Sequence, residues 1–272
     1  YPWDMQDCGT GTVLDELRDA GLNTISLATS YHAGRFLQPR SPKRKAYFPE
    51  DGTVYFQPDP KRWVDVAIKS LVSSVVRDGD VLAELVKRRD AGGFAVGCWT
   101  VCLHNTRLGM LHPDAVTRNA FGDPNYYNLC PSNPDARAYL RALVADISHG
   151  YRPDRIELES PNFMGFAHEY HHEKDGVGLS PEDDFLLSLC FCPHCTKAAA
   201  AEGIDVEAPR KLVSRWIVET CEKAVPERRF PEFPASGLDT FRAWPDLYDF
   251  LVWRSGPVTS LIGELREATH PD

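Results

Sequence analysis

A chain of 272 residues is long enough for one large domain or two small ones, and its 25% charged and 43% hydrophobic residues are ordinary for a globular protein. The formal net charge is −9, and the basic cluster Arg40–Lys45 sits in a Pro-rich loop, which argues against nucleic acid and allows a neutral partner such as a sugar. No run approaches the roughly 20 apolar residues a bilayer crossing needs, and no basic-then-apolar leader opens the sequence, so no membrane partner is expected and the chain is assigned to the cytoplasm.

In chain order, Val13, Leu14 and Leu17 give an apolar face to a short helix closing over Asp15–Ala20, with Gly21 placed to end it. Asn23–Tyr31 reads as a buried strand. Two aromatic runs, Ala46-Tyr47-Phe48 and Val54-Tyr55-Phe56, flank Glu50-Asp51-Gly52, which predicts a hairpin inserted near 45–59. Asp80–Arg89 is a second helix, with Val81, Leu82, Leu85 and Val86 at helical spacing and Gly92-Gly93 beyond it. Phe94–Asn105 follows as a strand. Pro134–Gly150 is a third helix, capped by Asn133 and Asp135, with Leu140, Leu143, Val144 and Ile147 on one stripe. Arg155–Phe163 is the next strand. A long excursion over 164–237, rich in His, Cys and Pro, contains a helix near Pro209–Ala224, and Asp246–Thr269 is helical with a kink at Pro257.

Strands alternating with helices imply a parallel sheet, and apolar strands imply that both its faces are covered. Long loops after strands and short ones after helices are a barrel habit. The fold expected is α/β: a single domain over 1–272 that forms about the first half of an eight-stranded (β/α)8 TIM barrel. In this reading one strand precedes Tyr1, the rest lie beyond Asp272, and a long βα loop carries a metal site. Association into a homo-oligomer is compatible with it.

Eight cysteines divide by spacing. Cys8, Cys98, Cys102 and Cys221 stand singly in apolar or helical surroundings, as buried free thiols do. Cys190-Phe-Cys192-Pro-His-Cys195 instead gathers three thiols on a turn that lets them share one ion. Cys130, in a loop just before a capped helix, is the preferred fourth ligand, with His194 as the alternative. Four thiolates leave no open position, so the expected cofactor is a structural zinc ion. The competing readings are buried thiols or a redox pair, since Cys192-Pro-His-Cys195 also spells a thioredoxin-like tetrapeptide.

Ile156-Glu157-Leu158-Glu159 alternates, so Glu157 and Glu159 share one face of their strand. Glu159 stands at the carboxyl end, where barrel enzymes place catalytic groups, and a partly desolvated carboxylic acid there is suited to protonating a leaving oxygen. The alternative is a Glu paired with an Arg in a polar barrel centre. Tyr31, His32, Trp99, His104 and Asn105 close the neighbouring strands and, with Glu157, supply rings and hydrogen-bonding groups of the kind that line sugar sites. His168, His171, His172 and Glu173 cluster in the following loop; substrate contacts through His171 and His172 are preferred to a second metal, because the helical His-Glu-x-x-His register is missing. Dinucleotide, phosphate-loop and Gly-x-Ser-x-Gly signatures are absent from the sequence.

Cys130-Pro131-Ser132-Asn133-Pro134, a helix, a strand ending in Glu, and Cys-x-Cys-x-x-Cys together resemble the family 42 β-galactosidases. Tyr139-Leu140 to Glu159 also looks like the corresponding segment of uncharacterised bacterial family-10-like glycosyl hydrolases, and the resemblance as a whole covers roughly 128–195. The resemblance implies Cys130, Cys190, Cys192 and Cys195 as zinc ligands, Glu159 as the acid/base at the end of the fourth barrel strand, and a nucleophile on a seventh strand. The sequence departs from family 42 at Leu158, where that family has Asn, and in its longer loop from Glu159 to Cys190. The function expected is a glycoside hydrolase acting on a carbohydrate or glycoside. The alternatives are a non-catalytic carbohydrate-binding barrel, or a metal-dependent hydrolase using His168, His171 and His172.

Overall fold

Gly21 takes φ 81°, a left-handed conformation that a glycine adopts without steric cost, and there the first apolar stripe stops being helical. The computed structural model describes residues 1–168, 174, 176–223 and 228–271. Its elements run α1 (Pro2–Cys8), α2 (Thr10–Asp19), β1 (Thr24–Tyr31), β2 (Phe36–Leu37), β3 (Ala46–Tyr47), β4 (Thr53–Val54), β5 (Leu71–Val72), α3 (Val81–Asp90) and β6 (Ala95–Val101). They continue α4 (Thr106–Leu111), β7 (Val116–Arg118), β8 (Pro124–Leu129), α5 (Pro134–Tyr151) and β9 (Arg155–Glu159). Then come α6 (Pro181–Leu187), α7 (Pro193–Ala201), α8 (Glu207–Glu222), α9 (Pro245–Trp253) and α10 (Ser255–Glu267).

The main sheet has five strands in the order β5-β4-β1-β6-β9. β1, β6 and β9 are parallel, with Ala28 opposite Trp99, Trp99 opposite Glu157 and Val101 opposite Glu159. The fold is therefore mixed α/β around a parallel sheet; the sequence reading expected about half of a barrel, and among the described residues β1, β6 and β9 are its parallel strands. One sheet face is apolar: Ile25, Leu27, Val96 and Cys98 pack with Leu82 and Leu85 of α3, Leu140 and Leu143 of α5, and Leu261 of α10. The other face does not match the expectation that both would be covered. Ser26 and Arg155 are exposed and Glu157 is half-buried, because β9 alternates charged with apolar residues. Gly97 leaves room for this polar face: a Cβ there would come within 2.9 Å of Arg155 Nε.

The hairpin expected near 45–59 is corrected. β3 pairs antiparallel with β2, whereas β4 joins the main sheet antiparallel to β1. The Asp51-Gly52 turn is real, but the two aromatic runs beside it bury different faces. Tyr55 enters a small cluster with Trp3 and Val75, and Phe56 enters the main core. The helix expected over Asp246–Thr269 is broken outright at Arg254 rather than kinked, since Pro257 lacks an amide donor and crowds the carbonyl four residues back.

The excursion builds a second core of its own. Leu186, Leu189, Phe191, Val213, Trp216, Phe241, Leu247 and Phe250 enclose the four clustered cysteines between α6, α7, α8 and α9. Among the described residues no helix is long and apolar enough to cross a membrane.

Candidate functional site

Cys130 leaves β8 in a loop whose next residues cap α5: the Asn133 carboxamide oxygen accepts from the Asp135 and Ala136 amides at 2.9 and 3.0 Å. Cys190 and Cys192 follow α6, and Cys192 is the N-cap of α7, so that the first turn of this helix points Cys195 back at it. The Cys130 Sγ lies 4.0, 3.6 and 3.5 Å from the Sγ atoms of Cys190, Cys192 and Cys195. A disulfide needs about 2.05 Å, whereas thiolates bound at about 2.3 Å to one tetrahedral ion stand about 3.8 Å apart. The spacing is that of ligands around a shared centre. His194 is not needed to complete the set.

Further features of the group suit thiolates. The amides of Arg118, Ser132 and Cys195 each donate to a sulfur at 3.4 Å. All four cysteines are 0–1% exposed, so solvent has no path to a ligand position. Burial pushes the Cys130 thiol well above its ordinary range, while hydrogen bonds from Cys130, Cys190 and Cys195 pull Cys192 far below it. A divalent ion is what would allow all four buried thiols to ionise together. The buried four-cysteine group has the chemistry to hold a metal ion such as zinc.

At the carboxyl ends of β1 and β6 lies a cleft of about 860 Å³, walled by Tyr31, His32, Arg35, Asp51, His104, Thr106, Tyr127 and His168 among others. Its floor is a run of rings. Tyr31 stacks on His32 at 4.2 Å, His32 on His104 at 4.1 Å, and His168 meets His104 edge-on at 4.5 Å. The Tyr127 hydroxyl, 2.7 Å from the Gly165 carbonyl, holds the loop that carries His168. Burial, then the neighbouring His32 and His168, lowers the His104 pKa to about 3. Its imidazole is therefore neutral at physiological pH.

This shift has a sign that can be checked. Between about 6.5 and about 3 the unfolded chain binds a proton that folded His104 refuses. Its contribution to stability is complete above about pH 6.5 and is lost as pH falls toward about 3. An imidazole nitrogen NMR titration is expected to find one ring that stays neutral down to that value. A His104 resonance titrating near pH 6.5 contradicts the burial of this ring.

Glu159 ends β9 on the same face as Glu157 and Trp99. The Trp99 indole donates to the Glu159 carboxylate, and the Trp99 ring packs against Tyr31 at 5.4 Å, which connects Glu159 to the cleft wall. Glu159 itself is not among the residues lining the cleft. Ser160 follows it at φ 51°, unusual for a non-glycine, and its carbonyl accepts from the Leu103 amide at 3.1 Å. That turn fixes the strand end against the segment leaving β6.

The other expected residues divide. Tyr31, His32, His104 and His168 come together in the cleft. Asn105 does not: its oxygen caps α4 through the Leu108 amide at 2.8 Å, and its nitrogen donates to the Gly52 carbonyl at 3.2 Å. Glu157 is occupied by Arg155 at 2.6 Å and Ser26 at 2.8 Å, close to the alternative reading of a strand Glu paired with Arg. His171 and His172, with Glu173, lie outside the described residues. Sequence reasoning missed Arg35, Asp51 and Tyr127. The Asp51 carboxylate accepts from the Ala33 amide at 3.0 Å, and the turn signal at 51–52 could have flagged that contact.

No family model matches the chain, and no curated protein does. Among solved structures, α-L-fucosidase isoenzyme 2 from Paenibacillus thiaminolyticus resembles it with a TM-score of 0.50 at 15% identity, over 94% of this chain and 26% of that one. The likeness is one of fold. It supports an α/β fold, and this chain spans about a quarter of that protein's length.

Proposed function

We propose that this chain is part of a β/α-barrel glycoside hydrolase in which Glu159 is the general acid/base. The observation that carries the proposal is the position of Glu159 at the carboxyl end of a parallel strand, held by the Trp99 indole beside the ring-lined cleft. The stacked rings of Tyr31, His32 and His104 give the cleft an apolar wall for the C–H side of a sugar, and the ring nitrogens of neutral His104 offer one donor and one acceptor to its hydroxyls. Cys130, Cys190, Cys192 and Cys195 hold a structural zinc ion, which supplies a crosslink between the loop before α5 and the segment joining α6 to α7. The carbohydrate partner, like the likeness to family 42, rests on this reading.

A second reading, a carbohydrate-binding barrel without hydrolysis, is favoured by the absence of Glu159 from the cleft wall. A metal-dependent hydrolase using His168, His171 and His172 is the third reading; His171 and His172 lie outside the described residues, among which the group placed to share a metal ion is the cysteine set. A panel of aryl glycosides, α-L-fucosides and β-galactosides included, separates the readings. Turnover of at least one member, unaffected by metal chelation at constant fold, is expected. Binding of free sugars without turnover of any member would select the binding barrel.

A further inference from the structure

Arg254 stands at the break between α9 and α10, and its surroundings raise a question of charge. Its Nε is buried without a hydrogen-bond partner, and its Nη2 reaches only the Ser188 carbonyl at 3.4 Å. Aromatic rings enclose the guanidinium: its carbon lies 4.7 Å from the centre of Phe163 and 5.8 Å from that of Phe185. Among the described residues no carboxylate pairs with it, although Arg228, Arg229 and Arg137 in the same region each have one. An enclosed guanidinium with no counter-charge is costly.

Arg254 stands against the cysteine site: the Ser188 carbonyl it reaches lies two residues before Cys190, and the adjacent Trp253 packs in the same core as Cys130, Cys190, Cys192 and Cys195. As neutral thiols they offer Arg254 nothing. As four thiolates on a divalent ion they carry a net charge of about −2, itself buried and in need of compensation. Each feature supplies what the other lacks.

We infer that Arg254 is the counter-charge of the cysteine site, a positioning residue that holds a net-negative metal–thiolate centre in the second core. The inference rests on the reading of the four cysteines as a divalent-metal site, and goes beyond it by assigning the residue that balances its charge. Arg254 also grips Phe163, in the segment leaving β9, so the same cation ties the metal centre to the strand end that bears Glu159. Groups just outside a metal's ligands typically change affinity by about 10–100-fold when removed.

The test uses the purified protein, its Arg254→Gln variant and its Arg254→Lys variant. Metal content is measured first, then the rate at which zinc is lost to excess EDTA, with near-ultraviolet circular dichroism followed in parallel. Gln keeps polarity and much of the length but no charge; Lys keeps the charge. Expected are about one zinc per chain in the unaltered protein, release about tenfold or more faster from Arg254→Gln, and release within about threefold of the unaltered rate from Arg254→Lys. Should Arg254→Gln not fold, an unaltered rate in Arg254→Lys still supports the inference. Equal rates in Arg254→Gln and the unaltered protein overturn it, as does rapid loss from Arg254→Lys or failure of both variants to fold, since a cation there is held to be sufficient. No metal in the unaltered protein removes the metal-site reading itself, a result distinct from any of these.

Discussion

Replacing Cys130 by Ser is expected to abolish stoichiometric zinc binding and to unfold the second core while the main sheet persists. Cys130 belongs to the chain segment before α5, whereas Cys190, Cys192 and Cys195 belong to the excursion, so its loss cuts the crosslink between them. Metal binding to closed thiolate sites contributes on the order of 10 kcal/mol of apparent free energy. A domain's whole stability is about 5–15 kcal/mol, so the crosslink is comparable with everything else that holds those helices. The first core contains none of the four ligands, and its packing of α3, α5 and α10 on the sheet does not depend on them. Urea unfolding followed by circular dichroism should show an early loss of part of the helical signal, with zinc appearing in the filtrate. Cys98→Ala, in the first core, is the control: a cost of about 1–2 kcal/mol and unchanged zinc. A single transition with the same midpoint in Cys130→Ser and the unaltered protein would contradict the crosslink.

Glu159→Gln is expected to lower kcat/KM by about 10²–10⁴-fold on whichever aryl glycoside is turned over, the usual worth of a general acid/base. The side-chain amide keeps an oxygen that can accept from the Trp99 indole, so the contact seen here survives and only the titratable proton is lost. Zinc content and unfolding midpoint should be unchanged. Glu157→Gln is the comparison that isolates the role, since it stands on the same strand face two residues earlier. Its carboxylate is bound to Arg155 and Ser26, the pair with Arg155 is more than a third exposed, and such a pair contributes only about 0–1 kcal/mol. Full activity in Glu159→Gln, or equal losses in the two variants, would return Glu159 to a structural role.

The elements with a one-sided apolar stripe were legible in the sequence. The helices after Asp80 and Asn133 and the strands from Thr24, Ala95 and Arg155 lie where periodicity placed them, within a few residues. So was the cysteine set, because a Cys-x-Cys-x-x-Cys turn constrains three ligands locally and a Cys-Pro loop before a cap leaves a fourth free to join them. Pairing partners were not legible. Tyr55 and Phe56 look like one run but serve two clusters, and nothing local tells β4 to pair with β1 rather than β3. The ribbon of β7 and β8 was missed because it is short and polar, although Asn119 closes its turn by accepting from the Phe121 and Asp123 amides at 2.9 and 3.0 Å. Asn105 shows the limit at the site: a polar residue at a strand end looks like a substrate ligand until the helix it caps is seen.

The cysteine centre is most directly tested by X-ray absorption at the zinc edge on the purified protein. Four sulfur scatterers at about 2.3 Å, with no nitrogen or oxygen in the first shell, are the predicted result. A mixed sulfur–nitrogen shell would mean that a histidine has displaced one of the four thiolates, and a protein that binds no zinc would leave the buried sulfurs of Cys130, Cys190, Cys192 and Cys195 with no charge to gather around.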